Sequence, residues 1–277
     1  MIYLVITALC YTVCTVSDKY AISEYRLSSS DFTFLMAAAS CICMIPALFL
    51  TEMRFELSVS SFITVALVTA DKIVEFYTSA AVLKRLSGFE TKAWLGTAMF
   101  LSYFTDVAVF GEGFEVVKLL FIFITCGCLF IMVRGGRNSS KGKYKGIVLL
   151  LVLYILSKFF YGLVIRLGSD AVSPTASVYS AMVIIAVIYL FKVNLKELFK
   201  DKLKGSGIVF ATRIPNIIGL ISENTLIGVS LTLYSMEQPL ILAMLLAYSF
   251  IRRENESKVS LISGAVCLLA ILAFRLV

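Results

Sequence analysis

The chain has 277 residues, a formal charge of +7 and 60% hydrophobic residues, with a mean hydropathy of +0.93. Soluble globular chains carry about 45–50% apolar residues, so the composition excludes an ordinary water-soluble domain and predicts an all-α polytopic membrane protein. Nucleic acid is not an expected partner, because the basic residues gather in connectors between apolar segments. Arg134, Arg137, Lys141, Lys143 and Lys145 mark one connector, and Lys192, Lys196, Lys200, Lys202 and Lys204 another.

A helix that crosses a bilayer needs about 20 predominantly apolar residues, and segments of that kind recur along the chain at roughly 2–22, 32–51, 60–86, 90–110, 115–134, 145–166, 174–191, 207–228, 230–251 and 259–276. The first lacks a basic leader and a small-x-small cleavage site, so it is expected as a retained helix. Asp18 and Lys19 stand near its end, where snorkelling to the interface is the simple expectation. The third segment carries Asp71, Lys72 and Glu75, with Thr78 and Ser79 on the face of Asp71 and Glu75. Met99, Ser102, Tyr103 and Asp106 form a stripe on the fourth.

A Gly-, Ser- and Lys-rich stretch, 136–144, reads as a linker. Beyond it, Tyr154, Lys158 and Tyr161 share a face of the sixth segment. The connector 192–206 sets Val193, Leu195, Leu198, Phe199 and Leu203 among five lysines. That pattern suits a short amphipathic helix at headgroup level. Arg213, Asn216 and Glu223 fall on the eighth segment, and Tyr234, Glu237 and Gln238 cluster on the ninth.

An ionisable group inside a span costs about 2.5–3.5 kcal/mol on insertion scales, so each calls for a partner or a function. The candidate substrate- and ion-binding residues are Asp71, Glu75, Tyr103, Asp106, Lys158, Tyr161, Arg213, Asn216, Glu223, Tyr234, Glu237 and Gln238. The ionisable residues inside spans, Asp18 and Lys19 included, occupy the first, third and fourth places of each group of five segments, which predicts that those helices line a cavity. The second and fifth of each group are then expected to brace the bundle or face lipid.

The second five segments follow the first five at an offset of 142 residues, as in Asp31 and Ser173, Glu112 and Glu254, or Gly88 and Ser230. Asp31 and Ser173 open their helices as expected N-caps. Five being odd, the second half must enter the membrane with opposite polarity, which is the inverted repeat of many secondary transporters. The predicted architecture is ten transmembrane helices as a 5+5 inverted repeat: 1–135, the linker 136–144, and 145–277. Asp71 and Arg213 are equivalents of opposite charge. Arginine does not deprotonate to escape a dry site, so Arg213 needs a partner, with Asp71, Glu75 and Glu237 as the candidates.

The run VEFYTSAAVLKRLSGFETKAWLGTAMFLSYFTDVAVFGEGFEVVKLLFIFITCGCLFIMV, with the Gly111-Glu112 pair, resembles the drug/metabolite transporter superfamily, EamA-like branch. Met99 stands where that family usually has a proline, Pro239 lies two residues before its expected place, and Arg253-Glu254 replaces the second Gly-Glu pair. The resemblance implies ten helices, a cavity lined by the same six polar segments, and cytoplasmic termini. The positive-inside rule, applied to the basic connectors, points instead to termini on the non-cytoplasmic face.

Function is therefore expected to be secondary transport of a small polar or charged organic metabolite: an amine, a quaternary ammonium compound or an amino-acid-like molecule. Alternating access is the expected mechanism and protons are the candidate coupling ion. A flippase for a lipid-linked headgroup and a facilitative channel are the alternatives. Six intramembrane acids against four bases, beside tyrosine faces, favour an organic cation, while the bases leave room for a carboxylate. No enzyme activity, cofactor or metal is expected: the chain has no histidine and no phosphate-binding motif. Its cysteines, at 10, 14, 41, 43, 126, 128 and 267, read as small apolar packing residues. Membrane lipid surrounds such a protein, as a monomer or homodimer, and the expected location is the cell (inner) membrane as a multi-pass protein.

Overall fold

The computed structural model describes residues 2–51, 53–86, 88–135, 146–251 and 258–276. The predicted linker 136–144 and the Arg253-Glu254 pair lie outside them. The helices are α1 (Ile2–Glu24), α2 (Ser29–Cys43), α3 (Ile45–Leu50), α4 (Val59–Leu83), α5 (Gly88–Leu95), α6 (Ala98–Ala108), α7 (Val116–Gly135) and α8 (Val148–Gly168). There follow α9 (Pro174–Leu190), α10 (Leu195–Lys200), α11 (Leu203–Ala211), α12 (Arg213–Val229), α13 (Leu231–Ser235), α14 (Glu237–Ile251) and α15 (Lys258–Leu276). Among the described residues the chain forms no β-strand, only an isolated antiparallel bridge between Phe55 and Val172.

Local chemistry accounts for most helix boundaries. Ser28, not Asp31, caps α2: its hydroxyl accepts from the Asp31 amide while the Asp31 carboxylate accepts from the Ser28 amide, a reciprocal capping box. Ser173 does cap α9, with Pro174 in the first turn where a missing N–H costs nothing. Four segments expected as single helices are each broken in two. Three of the breaks, at Met44, Thr212 and Met236, fall two or three residues before Pro46, Pro215 and Pro239. Proline cannot donate to the carbonyl four residues back and its ring crowds that turn. The fourth break follows Gly96. The connector helix exists as α10, capped by Asn194. It buries Leu198 and is held to α2 by Lys202, which pairs with Glu197 at 2.7 Å and Asp31 at 3.0 Å.

Polarity is reversed relative to a water-soluble protein. Large apolar side chains such as Leu9, Val13, Phe123, Leu149, Ile262 and Leu269 point outward, while Arg213, Glu223, Glu237 and Asp106 are fully buried. Exposed apolar surface on this scale needs a nonaqueous neighbour. Four helical stretches, Ile2–Glu24, Val148–Gly168, Leu203–Val229 and Leu231–Tyr248, are long and apolar enough to cross a membrane. The protein is thus an all-helical, membrane-embedded one. In its interior α1 packs along α12, α4 along α8, α2 against α9 and α7 against α15. These contacts leave a hollow between α1, α4, α8 and α12.

Candidate substrate cavity

Lys158, midway along α8, is the hub of the interior. Its Nζ lies 3.0 Å from Glu75 Oε1 on α4 and 3.6 Å from Glu223 Oε1 on α12. Lys72, one turn before Glu75, holds the other Glu75 oxygen at 2.6 Å and sits 3.5 Å over the Tyr161 ring. The Tyr11 hydroxyl donates to Glu223, and the Tyr161 hydroxyl donates to Asn224 at 2.8 Å. Tyr234 donates to the Lys158 backbone carbonyl at 2.8 Å. Charges alternate along Lys72, Glu75, Lys158 and Glu223, so each ion meets an opposite one. Burial of these ions is tolerable only because of that pairing. Gly219 lets α1 come close: a Cβ there would meet the Tyr11 ring at 2.8 Å.

Tyr11, Lys72, Glu75 and Lys158 of this cluster form one wall of a cavity whose empty space is about 850 Å³ with its open mouth included. Tyr161 and Glu223, expected at the site, stand behind that wall and do not line it. Its other walls come from Asp18 and Thr15 on α1, Thr91 and Lys92 on α5, Tyr154 on α8, and Asn216 and Leu220 on α12. The second and seventh segments do more than brace the bundle. They contribute Phe32, Met36, Ser40, Val178 and Met182 to the cavity, whereas the ninth contributes nothing to it. Glu237, Gln238 and Tyr234 instead line a small neighbouring void behind Lys158. There the Gln238 amide donates to Glu237, leaving Glu237 Oε2 buried with no hydrogen-bond partner among the described residues.

Arg213 is paired, but with none of the three expected carboxylates. Its Nη2 donates to both oxygens of Asp18 at 2.9 Å, and its Nε donates to the Val209 carbonyl at 3.2 Å. Thr212 closes the triangle, donating to Asp18 at 3.2 Å and accepting from Arg213 at 2.9 Å. Asp18 does not snorkel; it is buried and faces α12. Lys19 does reach the end of the bundle, where it donates to the Leu83 and Leu86 carbonyls at the C-terminus of α4, a favourable place for a cation. Asp71 is half-buried, does not line the cavity, and keeps Oδ2 without a hydrogen-bond partner among the described residues.

Asp106 and Tyr103 belong to the opposite end of the bundle, away from the cavity. Asp106 accepts from Ser230 Oγ at 2.7 Å, the Leu231 amide at 3.1 Å, and both the amide and the hydroxyl of Thr232 at 2.7 Å. It also pairs with Arg166. One carboxylate therefore caps α13 and ties it to α6 and α8. Tyr103 accepts from the Glu115 amide at 2.8 Å and donates to the Glu115 carbonyl at 2.9 Å, which holds the turn into α7. Asp106→Asn keeps one acceptor oxygen and loses the ionic contacts. It is expected to cost about 1.5–3 kcal/mol, the range for hydrogen bonds to charged groups. Thermal unfolding of the purified variant checks this, and an unchanged midpoint would contradict the capping role.

Tyr11, Asp18 and Lys92 were not among the expected site residues. Asp18 and Lys92 lie near segment ends, where a charge ordinarily reads as interfacial. Tyr11 carries no polar signal of its own on an apolar helix.

No protein-family model and no curated protein matches the chain. Among 24 matching chains of solved structures is one described as "Crystal structure of protein". It covers 99% of this chain and 97% of its own, with a TM-score of 0.67 and 11% sequence identity. At that identity the likeness is one of fold alone.

Proposed function

We propose that the protein is a secondary transporter of the drug/metabolite type, EamA-like, with ten spans in two inverted repeats, 1–135 and 145–277. It carries a small polar or charged organic metabolite across the cell (inner) membrane by alternating access. The observation that carries this reading is the charged, partly open cavity walled by helices of both halves, in a protein whose outer surface is apolar. Fixed buried charge facing a partly open hollow is what a carrier needs at its midplane.

The packing supports the repeat. Shifted by 142 residues, α1 corresponds to α8 and α4 to α11–α12; α4 packs along α8 as α12 packs along α1. α2 with α9, and α7 with α15, pack against their own equivalents. Close approaches recur too. Gly168 of α8 lies under Thr64 of α4, and Gly205 of α11 lies under Tyr25 after α1, where an added Cβ would meet the ring-bearing carbon at 2.7 Å.

Sealing of one end supports alternating access. The cavity lies toward the end where α1 finishes and α2 begins, since Asp18, Phe32, Leu83 and Lys92 line it. At the other end, the Phe55–Val172 bridge, Arg54 donating to the Ser169 carbonyl, Ser61 donating to the Ala171 carbonyl at 3.1 Å, and the Asp106–Arg166 pair lace the halves together. Asp71 and Glu237, each with a buried oxygen that has no hydrogen-bond partner among the described residues, are the candidate proton carriers.

Side-specific labelling tests the ten-span topology. In a background with the native cysteines replaced, Lys84→Cys and Lys200→Cys are expected to react from one side of a sealed vesicle. Gly113→Cys and Asp170→Cys should react only from the other. All four positions are exposed. Lys84 and Gly113 labelling from the same side would remove the topology. Transport itself is tested by solute flux in proteoliposomes, where no flux of any charged or zwitterionic solute would count against the carrier.

A further inference from the structure

The cavity presents three lysines, Lys72, Lys92 and Lys158, against two carboxylates, Asp18 and Glu75. Those carboxylates are already engaged. Arg213 takes both oxygens of Asp18, while Lys72 and Lys158 take one oxygen each of Glu75. Lys92 is left over. Its side chain is buried at 7% exposure on the cavity wall, and no described residue forms a hydrogen bond or ion pair with it. It feels the charges of Glu237, Glu75 and Glu223 only at a distance, together with the repulsion of Lys158. A largely buried ammonium without a partner is costly, and here it faces the partly open cavity.

We infer that Lys92 is the receptor for an anionic group of the substrate, which is a small organic monoanion with an apolar body. The inference rests on the transporter reading and names the class of its cargo. One surplus positive charge on the lining matches one negative charge on the solute. Phe32, Met36, Phe76 and Met182 face the same space and suit an aliphatic or aromatic body, since soft and flexible methionines adapt to varied apolar shapes. Thr91, Ser40 and Asn216 supply further polar contacts along the wall. A simple organic cation, by contrast, would meet Lys92 with like charge and find both lining carboxylates occupied.

The test uses size-matched probes that differ in charge: phenylacetate, phenylacetamide, phenethylamine and phenyl phosphate, the aliphatic pair 4-methylvalerate and isoamylamine, and the zwitterions phenylalanine and leucine. Binding is read from thermal unfolding of the purified full chain, and movement from flux in proteoliposomes. At least one carboxylate-bearing probe is expected to stabilise the wild type. Lys92→Gln should weaken its binding by about 10- to 100-fold, the loss of one charge-assisted hydrogen bond, and Lys92→Arg should restore most of it. Unliganded Lys92→Gln should unfold at the wild-type temperature or above, because an unpaired buried charge has been removed. Preference for phenyl phosphate over phenylacetate would keep the anion receptor and reassign the group from carboxylate to phosphate.

Binding and flux of the amines alone would overturn the inference and leave the transporter reading standing. No probe bound or moved would count against both. A lowered unfolding temperature of unliganded Lys92→Gln, with probe binding unchanged, would make Lys92 a structural residue and end the proposal.

Discussion

Arg213→Ala is expected to destabilise the protein by about 3–5 kcal/mol, the range for removal of one partner from a buried ion pair. Arg213 is fully buried and grips both oxygens of Asp18, so truncation leaves a carboxylate beside α12 with only Thr212 to satisfy it. The Val209 carbonyl also loses a donor. Asp18→Asn together with Arg213→Gln removes both charges and should recover most of the lost stability, since a neutral pair avoids the uncompensated charge. Thermal unfolding and the yield of monodisperse protein measure this. A double variant as unstable as Arg213→Ala would mean that the arginine acts through packing or through contacts other than Asp18. Asp18 also lines the cavity, so the rescued double variant is expected to show reduced flux.

Lys158→Met is expected to have a comparable effect on stability, about 3 kcal/mol or more, and to abolish transport. The two carboxylates it serves are not equally exposed to its loss. Glu75 retains Lys72 at 2.6 Å, whereas Glu223 has no other ion-pair partner among the described residues and keeps only the Tyr11 hydroxyl. Glu223→Gln in the Lys158→Met background should therefore raise the unfolding temperature, while Glu75→Gln should lower it by stranding Lys72. A double-mutant cycle over the three positions measures the coupling, which for charges in one network reaches about 0.5–3 kcal/mol. Equal responses to the two glutamine substitutions would contradict the alternating chain of charges.

The helices were legible because their signals are local. Apolar stretches of bilayer length, Ser173 before Pro174, and a connector alternating leucines with lysines each determine a structure within a few residues of chain. The breaks before Pro46, Pro215 and Pro239 could also have been read, since proline acts on the turn immediately preceding it. Glu75, Lys158, Tyr161 and Glu223 were recognisable as interior residues because charge and hydroxyl groups at the centre of apolar helices need partners.

Which partner each residue met was decided only by the tertiary structure. The 142-residue offset aligns Asp71 with Arg213, yet residues that are equivalent in two halves face different neighbours: α12 lies on α1 and α4 on α8. Arg213 accordingly met Asp18, 195 residues away, and Asp71 forms no ion pair among the described residues. Asp106 looked like one more cavity carboxylate and became a cap for α13, because that choice depends on the rotation of α6 about its axis. Lys92 stands close to a helix start, where sequence alone assigns a charge to the interface. The packing of other helices around α5 encloses it, and that enclosure turns an ordinary lysine into a charge facing a cavity with no partner among the described residues.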